Sequence, residues 1–225
     1  MKVLIFDSGT LINLSMNGLL YILEELKKNT KDLKFIITRH VKRELVDRPI
    51  NIPRFELGAI RIQNMIESKI IELPESMQIA NEEIDKKTTE LMETANRLIQ
   101  YQGKWVNIVS DAEISCLALS QILTEKSVTN LIAIDERTTR ILSEKPETLQ
   151  SIMEQRLHHP VFLMKKDFSK FKQFKFIRSS ELVYVAFKKD LLRIHGSKAL
   201  EAVIYATKYK GSSISWDEIK VLKKL

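Results

Sequence analysis

One cysteine in 225 residues excludes an internal disulfide and a cysteine-cluster metal site. Cys116 sits in Ile114-Ser115-Cys116-Leu117-Ala118-Leu119, a setting for a buried small hydrophobe rather than a nucleophile. Long apolar runs are missing too. None approaches the roughly 20 residues that cross a bilayer, and Met1-Lys2 leads straight into a strand-like run instead of a signal peptide. The expectation is an intracellular, cytoplasmic chain with no membrane partner. There is no internal repeat and no low-complexity segment. What is present, 44% hydrophobic and 29% charged residues, suffices to bury a full core in one domain or in one domain with an appendage.

Charge is ordinary in amount and uneven in placement. Residues 1–155 carry a net −3 and residues 156–225 a net +10. A basic surface beside an acidic site suits a polyanion, whose phosphates are gripped by Lys and Arg. A lysine-rich solvated surface is the plainer reading of the same residues. Much of the excess lies in 161–177, where Lys165, Lys166, Lys170, Lys172 and Lys175 alternate with Phe162, Phe168, Phe171, Phe174 and Phe176.

Short apolar runs alternate with helical patterns through the acidic part. Val3–Phe6, Phe35–Ile37, Ile70–Leu73 and Leu131–Ile134 read as strands. Helices are expected over Met16–Lys28, from the Thr38 cap through Glu44, over Ile52–Glu67 and Glu82–Tyr101, from Ser110 to Leu123, and over Glu136–Ser143. This order predicts an α/β fold with a parallel central sheet flanked by helices and joined by right-handed crossovers. Three further helices, starting near Ser180, Ser197 and Ser215, form a basic, mostly helical extension over 156–225. The α/β domain itself is placed at 1–155.

Two of those strands end in an aspartate, Asp7 and Asp135, and the carboxyl ends of parallel strands are where open α/β sheets bind ligands. Glu44 and Asp111 open or occupy the helices that follow. Several acids converging there cannot all stay ionised without a cation, which points to a divalent-metal site. Hard ions such as Mg²⁺ take oxygen ligands, and this donor set accepts Mg²⁺ or Mn²⁺ alike.

The segments Val-Leu-Ile-Phe-Asp7-Ser-Gly-Thr, Glu44 within a helix after strand two, Asp111-Ala-Glu113-Ile-Ser-Cys-Leu-Ala-Leu and Ile-Ala-Ile-Asp135-Glu-Arg137-Thr-Thr stand in an order that resembles the PIN-domain nucleases. The resemblance covers roughly residues 1–150. It implies a PIN-like, Rossmann-like three-layer fold, and Asp7, Glu44, Asp111 and Asp135 as metal-binding catalytic acids with Mg²⁺ or Mn²⁺. The implied reaction is hydrolysis of RNA phosphodiester bonds, in single-stranded RNA, leaving 5′-phosphate and 3′-hydroxyl ends. It also leaves room for a homodimer and for a protein partner such as an antitoxin.

Each residue has an ordinary use beside this one. Asp7 and Asp135 could merely cap the helices they precede, and Glu44, flanked by Lys42 and Arg43, could lie on a solvated face. Glu113 competes with Asp111 as a ligand, although it is also the natural capping-box partner of Ser110. Ser8, Thr10, Arg137 and Thr138 are placed to contact substrate, as are Lys165, Lys166, Lys170 and Lys172 in the basic segment. His158-His159 reads as a surface turn, and Trp105, Phe168 and Phe171 as core.

Two other functions compete. A PIN-like fold kept as an RNA-binding or assembly module would carry the same residues without turnover. Phe6-Asp7-Ser8-Gly9-Thr10-Leu11 also resembles the haloacid-dehalogenase phosphatases, but Gly9 stands where their second aspartate belongs.

Overall fold

The computed structural model describes residues 1–164 and 168–224; Lys165 and Lys166 lie outside the described residues. The first apolar run forms β1 (Lys2–Phe6), buried at four of its five positions, as a strand must be when helices cover both faces of a parallel sheet. Helix α1 (Ser8–Met16) begins at once, with Asp7 as its N-cap. It stops at Asn17-Gly18, where Gly18 adopts φ +67, a left-handed conformation that ends a helix. Helix α2 (Tyr21–Asn29) then runs separately. The helix expected over Met16–Lys28 thus begins only at Tyr21, and α1 precedes it as a helix that was not expected.

Strand β2 (Leu33–Ile36) leads to Thr38, whose hydroxyl accepts from the Val41 N–H and caps the short α3 (Arg39–Lys42). A π-helical turn, Arg43–Asp47, continues α3 and carries Glu44. Helix α4 (Pro53–Glu67) starts on proline, whose missing N–H costs nothing at that position. Strand β3 (Ile71–Glu72) and helix α5 (Asn81–Ala95) follow.

The long helix expected to Tyr101 ends at Ala95. Beyond it β4 (Ile99–Tyr101) turns back through Gln102-Gly103, both at positive φ, into β5 (Lys104–Trp105). Two successive positive φ values are what a tight hairpin demands. Trp105, read as core, lies 47% exposed on this hairpin.

Helix α6 (Asp111–Glu125), β6 (Thr129–Ala133), α7 (Arg137–Glu144) and α8 (Leu149–Leu157) come next. His158, at φ 55, closes α8 in an exposed turn. Strands β7 (Phe162–Leu163) and β8 (Phe176–Ile177) precede α9 (Ser179–Lys188), α10 (Ala199–Tyr209) and α11 (Trp216–Leu222).

The main sheet is parallel, in the order β3-β2-β1-β6-β8. A small antiparallel sheet, β5-β4-β7, sits beside it. In the main sheet Ile5 pairs with Ile36 and with Ile132, so β1 is its centre. Succession runs outward from β1 to β2 and β3, then returns to the other side of β1 for β6. The carboxyl ends of β1 and β6 thus flank the point where strand order reverses, the usual ligand crevice of this architecture.

Residues after 155 pack against the α/β core and contribute to it. Strand β8 pairs with β6 through Ile132 and Phe176, β7 pairs with β4, and Phe168, Phe171, Leu182, Val183 and Ile204 join the same buried cluster as β1. Among the described residues no helix is long and apolar enough to cross a membrane.

Candidate active site

Asp7 emerges from β1 at the reversal point, held by its own N–H donating to the Ala133 carbonyl at 2.9 Å. It is only 3% exposed. Its Oδ2 accepts from the Gly9 N–H at 3.1 Å, while its Oδ1 is buried and has no hydrogen-bond partner. Gly9 matters to this contact, because a Cβ there would lie 3.2 Å from Oδ2.

Glu44 reaches the same place from the π-helical turn, where its Oε2 accepts from Ser8 Oγ at 2.7 Å. Glu113 arrives from α6. Its backbone N–H donates to Ser110 Oγ at 3.2 Å and its carboxylate accepts from the Ser110 N–H at 3.3 Å, closing the expected capping box. The same carboxylate also accepts from Thr139 Oγ1 at 2.5 Å, a tie to α7. Glu113 is thus more than a cap.

The charges of Glu113 and Glu44 act on Asp7. Burial, then the Glu113 charge, raise the Asp7 carboxyl to about 7 against the pull of the Gly9 and Ser8 N–H groups, and Glu44 adds to the rise. Glu113 is itself pushed up, mainly by burial, with Thr139 opposing and Glu136 adding. Cys116 reports on the cluster from behind: its Sγ lies 3.5 Å from the Phe6 carbonyl, and burial and then Asp7, Glu113 and Glu44 push the thiol well up. A thiol so placed is no nucleophile.

The other two expected acids stand differently. Asp111 is exposed at the first position of α6, where the helix dipole favours it. Asp135 is buried, and both its oxygens are engaged: Oδ1 accepts from the Ser179 N–H at 2.9 Å and Oδ2 from Asn13 Nδ2 at 3.1 Å. Asn13 also donates to the Thr207 carbonyl at 2.8 Å and approaches Ser179 Oγ at 3.2 Å. Asp135 therefore ties the end of β6 to α1 and α9, and Asn13 extends the tie to α10.

Of the expected substrate contacts, Ser8 lies in the cluster through Glu44, and Thr10 is fully buried with an unpartnered hydroxyl. Arg137 is exposed and Thr138 buried at the start of α7. Lys170 reaches Thr94 Oγ1 at 3.3 Å and Lys172 is exposed, both in the segment before β8. Asn13, Ser179 and Thr139 had no assigned role. A polar residue in the apolar stretch Leu11-Ile12-Asn13-Leu14 was the available signal for the first.

Among the described residues no three His, Cys, Asp or Glu side chains close around one point so as to hold a metal ion between them. The donors nonetheless fit a hard cation. Asp7 Oδ1 is a buried oxygen with nothing to accept from, and the Glu113 and Glu44 charges that raise the Asp7 carboxyl are ones a cation would offset. Mg²⁺ commonly takes one or two carboxylates and completes its shell with water and phosphate oxygens. Comparison with protein-family models, curated proteins and solved structures gives no match to this chain.

Proposed function

We propose that the chain is a PIN-type ribonuclease that hydrolyses RNA phosphodiester bonds with a divalent cation held at Asp7. The carrying observation is the buried, unpartnered Asp7 Oδ1 at the strand-order reversal, with Glu44 and Glu113 beside it. Asp7 is the anchoring ligand, and Glu44 and Glu113 are the neighbours able to share the ion directly or through water. When bound there, Mg²⁺ or Mn²⁺ supplies charge neutralisation at the scissile phosphate and an acidified water.

The rest of the work falls to the chain. Ser8 fixes the Glu44 carboxylate by donating its hydroxyl proton, and Thr139 and Ser110 fix that of Glu113. The net +10 of residues 156–225 supplies phosphate contacts away from the reacting bond.

The test is cleavage of single-stranded RNA with Mn²⁺ or Mg²⁺ by wild type, Asp7→Asn, Glu44→Gln and Glu113→Gln at matched thermal stability. Loss in Asp7→Asn is expected, and undiminished cleavage by that variant refutes the site. The engagement of Asp135 by Ser179 and Asn13 favours one second reading, an RNA-binding module without turnover. RNA binding by wild type with no cleavage in either metal would select it.

A further inference from the structure

Beside the acids a cleft of about 440 Å³ opens between α1, the π-helical turn and α4. Glu44 borders both the cleft and the acid cluster. The cleft walls are apolar and unusually open to solvent: Ile12 is 44% exposed, Met16 60%, Phe55 45% and Leu57 61%. Four large apolar side chains left in water around one hollow ask for an occupant. Arg54 and Arg61 stand at the rim. They lie seven residues apart on α4, about 10 Å along its axis.

The rim decides the chemistry of that occupant. The Arg54 guanidinium lies 4.4 Å from the Phe55 ring centroid, and Arg61 Nη1 reaches the Ser15 carbonyl at 3.5 Å. Both are exposed cations flanking an apolar floor with one aromatic face. A nucleotide matches this: a flat π-surface for the floor and anionic phosphates for the rim. The volume lies within the usual range for small-ligand sites, about 300 to 1,000 Å³.

We propose that this cleft is a nucleobase subsite, in which one unpaired base of the RNA lies against Ile12, Met16, Phe55 and Leu57 while the adjoining phosphates meet Arg54 and Arg61. The proposal rests on the ribonuclease reading and extends it. Because the floor offers apolar contact, it selects for an unpaired base without selecting its identity. Duplex RNA keeps its bases stacked inside and cannot fill the cleft, so the cleft makes the enzyme prefer single strands.

The experiment measures steady-state cleavage of a short single-stranded RNA with Mn²⁺, using wild type and Phe55→Ala/Leu57→Ala. A set of RNAs carries one abasic residue at successive positions around the cleavage site. The double variant should raise KM about tenfold with kcat nearly unchanged, as expected for lost base stacking. One abasic position should cost wild type a similar factor and the variant nothing more. Equal losses from that abasic residue in both proteins, or no sensitive position, would overturn the subsite. Arg54→Gln/Arg61→Gln should raise KM and lower the salt slope by about 1.4, and serves in place of the apolar variant if that one misfolds. Cleavage by wild type with unchanged kinetics in these variants overturns the subsite alone. No RNA cleavage or binding by wild type overturns the ribonuclease reading and the subsite with it.

Discussion

Replacing Asp7 by Asn should make the metal-free protein more stable at neutral pH while abolishing its response to a divalent cation. Asp7 is held at about 7 in the folded protein against an ordinary value of 3.8. Below 3.8 the carboxyl is protonated in both states and carries no penalty. As pH rises from 3.8 to 7 the unfolded chain releases the proton and the folded one retains it, so stability falls throughout that window. At about 1.4 kcal/mol per pH unit, the full penalty above pH 7 is about 4 kcal/mol. Asn removes it while keeping an acceptor for the Gly9 N–H, and its new amide can donate toward the carboxylates nearby.

Urea denaturation in chelator at several pH values checks this. Asp7→Asn should exceed wild type by about 2 to 4 kcal/mol near pH 8, and the gap should close toward pH 4. Adding Mn²⁺ should narrow that gap, because a ligand at a hundred times its Kd stabilises its site by about 2.7 kcal/mol. Wild type should gain and the variant should not. A variant no more stable than wild type near pH 8, or a gap that does not change with pH, refutes the buried-charge argument. An equal response of both proteins to Mn²⁺ refutes Asp7 as the anchor.

Three further outcomes can be checked. Asp135→Ala strips acceptors from the Ser179 N–H and Asn13 Nδ2, both buried, and should cost about 2 to 5 kcal/mol in urea denaturation; a loss below about 1 kcal/mol would mean that water replaces the carboxylate. Ser110→Ala removes the cap of α6 and should cost about 1 kcal/mol, while also loosening Glu113 and so reducing cleavage more than folding. Changing Lys165, Lys166, Lys170 and Lys172 together to Gln should weaken RNA binding and flatten its salt slope by up to about 3, at roughly 0.7 per phosphate contact on a single strand; an unaltered slope would free the segment from that role.

The sheet was legible because its central strands carry the pattern most directly. Val3–Phe6 and Leu131–Ile134 are apolar at every position, and all of them but Leu131 are buried, as strands covered on both faces should be. The small sheet was hidden for the opposite reason. Strand β4 is three residues and β5 two, and Leu98-Ile99 continues the apolar spacing of α5, so helical periodicity runs on past the true end at Ala95. Strand β8 was masked in the same way by the alternating Lys and Phe of 168–177. Its lysines were read as a basic surface and Phe168 and Phe171 as core; both phenylalanines are buried, but the pairing of Phe176 beside Ile132 had no local signal.

The site divides along a similar line. Asp7 follows a strand whose register is fixed by its neighbours, so its position could be read from the run before it. Glu113 and Asp111 lie two residues apart at a helix start, about 200° around the axis, so only one of them can face the sheet. The capping box settles which. By turning Glu113 back onto the Ser110 N–H, it also aims that carboxylate toward Thr139 and the Asp7 side of α6. The motif that made Glu113 look merely structural is therefore what orients it beside Asp7. Asp135 carries the converse lesson. Its partners Asn13 and Ser179 are 122 and 44 residues away, and no local pattern announces a contact made only when α1 and α9 pack together. A strand-terminal aspartate thus declares where it will stand and leaves open which donors will reach it first.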